Sequence, residues 1–265
     1  MNKFLRFEIT RDTLIAIGAG LGMIVLSLLM IPFSGNSFID TAVSFFLRDI
    51  VMIFGLGVVF VSLYVDKRGK EILSDMGFSK RKLVLSIVFD VIFAAGLLAM
   101  FMKDGIPENI FNVCNLYASS YILTAGIFEM IFIYGFLRMN FEKAFGIIPS
   151  ILITSAFYSF HHAGFQPEFL HLFFVGVMYC SVFYITRNIV IIFPLFWGVG
   201  ALWDVIVSSA AGEGIKNVES FAIAVIIWGM IIIWFVFRSI RRKKYVVKNI
   251  DSNNGNLTKG RNECL

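Results

Sequence analysis

Long apolar runs constrain this sequence more than any other feature, because each is about the length that a helix needs to cross a bilayer. A helix rises about 1.5 Å per residue, so about 20 mostly apolar residues span roughly 30 Å of hydrocarbon. The runs are continuously apolar rather than alternating, which excludes a transmembrane barrel. The sequence therefore predicts an all-α polytopic membrane protein with about eight transmembrane helices. The qualifying runs are Thr13–Phe33, Thr41–Val65, Leu83–Met102, Ala118–Leu137, Phe145–His161, Phe169–Ile185, Ile189–Ala211 and Phe221–Phe237.

The composition supports this prediction and excludes two other classes of protein. Hydrophobic residues make up 58% of the chain and charged residues only 15%. A soluble protein has about 25% charged residues, and a disordered chain needs low hydrophobicity with high charge. The cysteines Cys114, Cys180 and Cys264 show no pairing pattern, which argues against a disulfide framework and a cysteine-based zinc site.

The basic residues predict the orientation. Alternate connecting segments together carry 20 Lys and Arg residues, whereas the intervening segments carry 2. By the positive-inside rule both termini are cytoplasmic, which requires an even number of spans. The basic tail that begins at Arg238 is expected to face anionic lipid, and no nucleic-acid partner is predicted.

Three ionisable residues, Glu129, His161 and Asp204, lie deep inside apolar runs. Each costs about 2.5–3.5 kcal/mol at the bilayer centre, so a functional role is favoured over a structural hydrogen bond between helices. Counted from the cytoplasmic ends of their helices, His161 and Asp204 both lie about 24–26 Å deep. Glu129 reaches about 21 Å only if its helix continues past Arg138 to Lys143, so we expect that continuation.

These three side chains suggest hydrolytic chemistry. Two carboxylates and an imidazole can abstract a proton from water, or bind a divalent metal such as zinc with one coordination position open. On a helix the neighbouring His162 points about 100° away from His161, so only one of them is expected to face a given cavity. His171 lies within reach of the same region, although an interfacial position is favoured for it.

Short motifs around these residues resemble those of the CAAX-protease and bacteriocin-processing (Abi) intramembrane endopeptidases. The first family motif is Glu-Glu-x-x-x-Arg-Gly. Residues 129–135 match it at the first Glu and the Gly, whereas Met130 and Tyr134 replace the second Glu and the Arg. The second motif, Phe-x-x-x-His, is intact as Phe157 and His161.

The third family motif, His-x-x-x-Asn/Asp, is half retained. Asp204 stands at the acidic position, and Gly200 stands where the family has His. An alternative register places Trp197 or Gly198 at that position, and neither restores an imidazole. The resemblance covers roughly residues 70–211. It divides the chain into an N-terminal two-helix region (1–69), this core, a last transmembrane helix (212–240) and a basic polar cytoplasmic tail (241–265).

The resemblance implies a multi-pass endopeptidase of the plasma membrane. Its substrate would be a peptide or a lipidated protein tail, in bacteriocin processing or self-immunity. The resemblance also implies that Glu129 activates water, while His161 and Asp204 bind the metal or stabilise the developing oxyanion. Glu129 is a third candidate ligand for that metal. Accessory roles are implied for Tyr134, Phe157, His162 and His171.

The replaced motif residues leave other functions open. Without the Arg, no permanent charge holds the Glu129 carboxylate ionised in an apolar cavity, since Tyr134 only donates a hydrogen bond. A catalytically silent relative would act as a scaffold or immunity protein that binds a peptide or a membrane-protein partner in the same cavity. A proton-coupled transporter that uses Glu129 and His161 is disfavoured, because the sequence shows no pair of related halves.

Overall fold

The computed structural model describes residues 3–35, 37–80, 82–104, 112–162, 167–208 and 220–241, and within these ranges the regular structure is helical without strands. Residues 1–227 form one compact unit and residues 228–265 a second. The helices are α1 (Arg11–Phe33), α2 (Phe38–Arg68), α3 (Ile72–Met76), α4 (Leu83–Phe101), α5 (Val113–Phe145), α6 (Ile147–His161), α7 (Phe169–Thr186), α8 (189–208) and α9 (Ser220–Arg241).

The helices agree with a multi-pass membrane protein. Six of them are long and apolar enough to cross a bilayer, namely α1, α2, α4, α5, α7 and α9. The fifth and seventh predicted runs form shorter apolar helices, α6 with 15 residues and Ile189–Trp203 within α8. The count of eight crossings, the cytoplasmic termini and the four-part division of the chain stay predictions. The tail beyond Arg241 lies outside the described residues.

Helix α5 is 33 residues long and continues past Arg138 to Phe145, as predicted from the depth of Glu129. The buried side chain of Arg138 supports this continuation through three hydrogen bonds. It donates to the carbonyls of Tyr134 and Asp75, both at 2.7 Å, and to Glu142 Oε2 at 2.6 Å. The helix ends at Gly146, whose φ of 89° is easily adopted only by glycine.

The segment before α1 closes the joint between α5 and α6. The backbone amides of Arg6 and Glu8 donate to the carbonyls of Phe145 and Ala144 at 3.0 and 2.8 Å. Gly146 permits this approach, since a Cβ there would lie 2.8 Å from the backbone of the approaching segment. The N-terminal segment thus fixes the joint between the two helices that carry the first and second motifs.

Helix α1 packs against α6 through a small residue. The buried face of α1 has helical spacing, as expected for one side of an amphipathic contact. On this face Gly20 lies against the ring of Phe157, and a Cβ at that position would come within 2.5 Å of the ring. The face consists of Thr13, Ala16, Gly20, Met23 and Ser27.

Candidate active site

The candidate active site forms where α5 meets the end of α6. Glu129 is buried in the middle of α5, and its Oε1 lies 3.2 Å from Nε2 of His162. One oxygen of Glu129 and one nitrogen each of His161 and His162 lie within 4.8 Å of one another. The structure therefore brings together the first-motif acid and the second-motif histidine that the sequence predicted.

His162 joins the site although helical geometry predicted that only one of the two adjacent imidazoles would face a given cavity. The prediction assumed that both residues are helical. In the structure His161 ends α6, and His162 has a φ of −81° and a ψ of 25°. Because the backbone leaves the helix at this point, both imidazoles lie beside Glu129, with their ring centroids 4.8 Å apart.

Trp197 holds the other oxygen of Glu129. Its indole Nε1 donates to Oε2 at 2.9 Å, and both side chains are buried. Gly126, one turn before Glu129, makes room for the indole, since a Cβ at that position would lie 2.2 Å from the ring. The residues lie in π-helical segments, Glu129–Leu137 and Phe193–Trp197, and such segments often occur at functional sites.

His161 faces the interior of the helix bundle. Its ring lies 5.3 Å from that of Phe128, centroid to centroid, and its Nδ1 is 3.3 Å from the hydroxyl of Ser27 on α1. His162 is more exposed and packs edge-on against Tyr158 at 4.8 Å. The two histidines therefore occupy different surroundings, one enclosed by α1 and α5 and the other more exposed at the C-terminal end of α6.

The remaining predicted residues lie apart from this group or cannot be placed in it. Asp204 belongs to α8, but its side chain lies outside the described residues. His171 is exposed on α7 and is not part of the Glu129 group. Tyr134 is buried between Tyr158 and Tyr179, with ring centroids 5.6 and 5.9 Å away, and its hydroxyl has no hydrogen-bond partner among the described residues.

A side chain at the position of the missing third-motif histidine would have to displace Tyr179. A Cβ on Gly200 would lie 2.6 Å from the hydroxyl oxygen of Tyr179 and 3.2 Å from the side chain of Leu97. The other register considered from the sequence places Trp197 there, and that residue is the donor to Glu129. The structure thus has a neutral N–H donor beside the acid.

An apolar cleft lies next to Trp197. It is narrow and partly open to the outside, and it connects the N-terminal end of α8 with the indole of Trp197. Met130 and Tyr134, which replace the second Glu and the Arg of the first motif, both contribute to its wall. Its lining residues are Met130, Tyr134, Tyr179, Phe183, Ile189, Ile192, Phe193 and Trp197.

The donor atoms of the group suit a divalent metal. Two imidazoles and one carboxylate are the protein ligands of a common class of catalytic zinc site with one open position. Tetrahedral ligands at about 2.0–2.1 Å from zinc are about 3.4 Å apart. The 3.2 Å between Glu129 and His162 already meets this separation, whereas the wider limit of 4.8 Å for the group requires a small contraction.

Residues 113–206 match the family model described as type II CAAX prenyl endopeptidase Rce1-like. This match confirms the family resemblance. The matched family consists of intramembrane proteases, and the segment includes Glu129, His161, His162 and Trp197. Helix α1 and its Ser27 lie outside it. No curated protein and no solved structure matches the chain.

Proposed function

We propose that the protein is an intramembrane endopeptidase that hydrolyses a peptide bond in a peptide or lipidated protein tail within the membrane. The observation that carries this proposal is the 3.2 Å contact between the buried Glu129 carboxylate and His162, inside a segment that matches an intramembrane protease family. A carboxylate and an imidazole at this distance can take a proton from water and return it to the leaving amine.

The two oxygens of Glu129 have separate roles in this proposal. Trp197 holds Oε2, so the carboxylate cannot rotate freely, and Oε1 is directed towards His162. An acid fixed in this way presents the same lone pair to each water molecule that reaches it. Orientation of this kind lowers the entropy that the reaction must lose before bond formation.

We also propose that Glu129, His161 and His162 hold a divalent metal, with zinc the best fit to two imidazoles and a carboxylate. When bound, such a metal supplies a Lewis acid and lowers the pKa of its water ligand to about 7. Glu129 would bind through Oε1, because Trp197 engages Oε2. Loss of zinc in Glu129→Gln would indicate that Glu129 is a ligand, whereas retention of zinc would indicate that it acts as a general base.

The apolar cleft supports a substrate with apolar groups near the scissile bond. Its lining consists of aliphatic, thioether and aromatic side chains, and Tyr134 and Tyr179 are its hydroxyl-bearing residues. Burial of such groups is favourable by about 25 cal/mol per Å² of apolar surface. Processing of a bacteriocin precursor, or self-immunity to one, is the biological setting proposed for this activity.

A second proposal, a binding protein without catalysis, is favoured by one observation. The family's third histidine is replaced by Gly200, and the hydroxyl oxygen of Tyr179 would lie 2.6 Å from a Cβ at that position. In this case the same cavity would bind a peptide or a partner membrane protein, as a scaffold or an immunity protein does.

A cleavage assay distinguishes the two proposals. The full-length protein is reconstituted in nanodiscs and incubated with a library of apolar and of lipidated peptides, with products identified by mass spectrometry. We expect Glu129→Gln and His162→Ala to lower the rate at least about 100-fold. His171→Ala is the matched control, since His171 is an exposed histidine outside the group, and it should retain activity.

Metal analysis of the same preparations completes the test. We expect about one zinc per chain in the wild type and a loss of it in His161→Ala and His162→Ala. Cleavage that persists in Glu129→Gln would refute the role of Glu129, and a wild type that cleaves no peptide would refute the endopeptidase proposal. Binding of a peptide without cleavage, unaffected by that substitution, would support the binding protein.

A further inference from the structure

Helix α1 supplies a polar group to the site from outside the segment that matches the family. Ser27 is buried, with 4% of its surface exposed, and its Oγ lies 3.3 Å from Nδ1 of His161. The same Oγ lies 3.1 Å from the carbonyl oxygen of Met23, one turn earlier in α1.

These two contacts specify where the protons lie. A serine hydroxyl has a single proton to donate and two lone pairs to accept with. The Met23 carbonyl only accepts, so the Ser27 proton points to it. The Ser27 oxygen is then an acceptor towards His161, and Nδ1 must carry the imidazole proton. The opposite assignment would satisfy only one of the two contacts.

We infer that Ser27 is a positioning residue that fixes His161 as the Nδ1–H tautomer and leaves Nε2 with its lone pair. This lone pair is what a histidine uses to bind a metal or to accept a proton. Metal-binding histidines commonly have the other ring nitrogen held by a hydrogen bond, and loss of that bond costs about 10- to 100-fold in metal affinity or activity. The catalytic consequence rests on the proposed function, whereas the tautomer does not.

The packing of α1 on α6 supports this role. Gly20 lies against Phe157, and Ser27, two turns further along α1, lies against His161, one turn further along α6. The two contacts fix the position of α1 along α6 at separate points. The hydroxyl of Ser27 is therefore held opposite Nδ1 by the backbone fit at Gly20 as well as by its own hydrogen bond.

The test is nitrogen-15 NMR of the full-length protein, labelled at histidine, in lipid bilayers at pH 8.5 and without added metal. The chain has three histidines, so His162→Ala and His171→Ala variants assign the signals. We expect His161 in the wild type to show a protonated Nδ1 and an unprotonated Nε2. A protonated Nε2 with a bare Nδ1 in the wild type would overturn the inference, whatever any variant does.

Variants at position 27 provide a second readout. Ser27→Ala should shift His161 towards the Nε2–H tautomer and lower kcat about 10-fold at unchanged KM. Ser27→Thr keeps a hydroxyl that can bond to the carbonyl one turn earlier, so it should restore the wild-type nitrogen spectrum. An unchanged spectrum in Ser27→Ala would contradict the inference. If the wild-type protein shows the expected nitrogen spectrum but cleaves no peptide, the proposed function is refuted and the inference about the tautomer stands.

Discussion

The indole N–H of Trp197 donates to Oε2 of Glu129 at 2.9 Å, in a site whose motif resemblance implies an arginine. That arginine is replaced by Tyr134, and the nearby Arg138 is engaged with the carbonyls of Tyr134 and Asp75 instead. The carboxylate is therefore held by a neutral donor from α8 and by His162. A hydrogen bond to a charged group stabilises by about 1.5–3 kcal/mol, enough to orient the acid.

We predict that Trp197→Phe lowers kcat about 10- to 100-fold and leaves KM nearly unchanged, because the substitution removes the N–H donor and keeps the aromatic ring. Steady-state kinetics with a cleaved peptide measure both constants. Trp203→Phe is the matched control, since Trp203 lies in the same helix and stacks on Phe101 at 5.8 Å. Equal losses in the two variants would show that aromatic packing, not the hydrogen bond, is what matters.

Gly126→Ala should displace the indole of Trp197, because the added Cβ would lie 2.2 Å from the ring. We expect a lower melting temperature and a loss of activity at least as large as that of Trp197→Phe. Gly96→Ala in α4 is the control, since a Cβ there meets no atom within 4 Å. Alanine is favoured over glycine in a helix by up to about 1 kcal/mol, so this control should be neutral or stabilising.

Gly20→Ala should separate α1 from α6, since its Cβ would lie 2.5 Å from the ring of Phe157. Overpacking of this kind costs about 1–3 kcal/mol. Gly22→Ala on the same helix meets no atom within 4 Å and should be tolerated. Thermal unfolding in detergent compares the two variants, and similar melting temperatures would exclude a close contact between α1 and α6 at Gly20.

Arg138→Met should destabilise the protein by about 1–3 kcal/mol, because it removes a buried donor from the carbonyls of Tyr134 and Asp75. Glu142 keeps its ion pair with Arg187 in this variant. Lys143→Gln removes a neighbouring ion pair with Asp75 in which both side chains are about half exposed. Exposed pairs contribute about 0–1 kcal/mol, so this variant should unfold almost as the wild type does. Denaturant titration measures the free energy of unfolding of both variants. A large effect of Lys143→Gln would contradict the small contribution expected of an exposed ion pair.

The space at Gly200 can be tested with a double-mutant cycle. Gly200→Ala places a Cβ 2.6 Å from the hydroxyl oxygen of Tyr179, so it should destabilise by about 1–3 kcal/mol. Tyr179→Phe removes that oxygen, and in this background Gly200→Ala should cost measurably less. A coupling free energy near zero from the unfolding of the four proteins would show that Tyr179 does not fill the position.

The sequence predicted the membrane class, the helical runs and two members of the site because these follow from patterns within one helix. Apolar length gives the spans, and the cost of a buried charge identifies Glu129 and His161. Even the continuation of α5 past Arg138 followed from a depth argument along one helix. Each of these inferences needs only the rise per residue and the polarity of neighbours.

The roles of Trp197 and Ser27 could not be predicted in this way, and His162 was predicted only as an accessory residue. Trp197 and Ser27 are recognised only from what lies opposite them on another helix. The hydroxyl of a serine inside an apolar helix can donate to the carbonyl one turn earlier in the same helix. Ser27 in the sequence therefore does not indicate a partner on another helix. His162 was placed with helical geometry, and the helix ends one residue before it. Gly126, one turn before Glu129, is a local feature of the sequence that could have indicated a bulky side chain packed beside the acid.

The joint between α5 and α6 is closed by main-chain groups of the segment before α1, with the side chain of Arg6 adding bonds to the carbonyl of Glu142. The main-chain bonds themselves tolerate substitution of these residues, although Phe7 also packs its ring against Phe145, with the centroids 5.8 Å apart. Proline is the exception at positions 6 and 8, because it lacks the amide proton that each of these residues contributes.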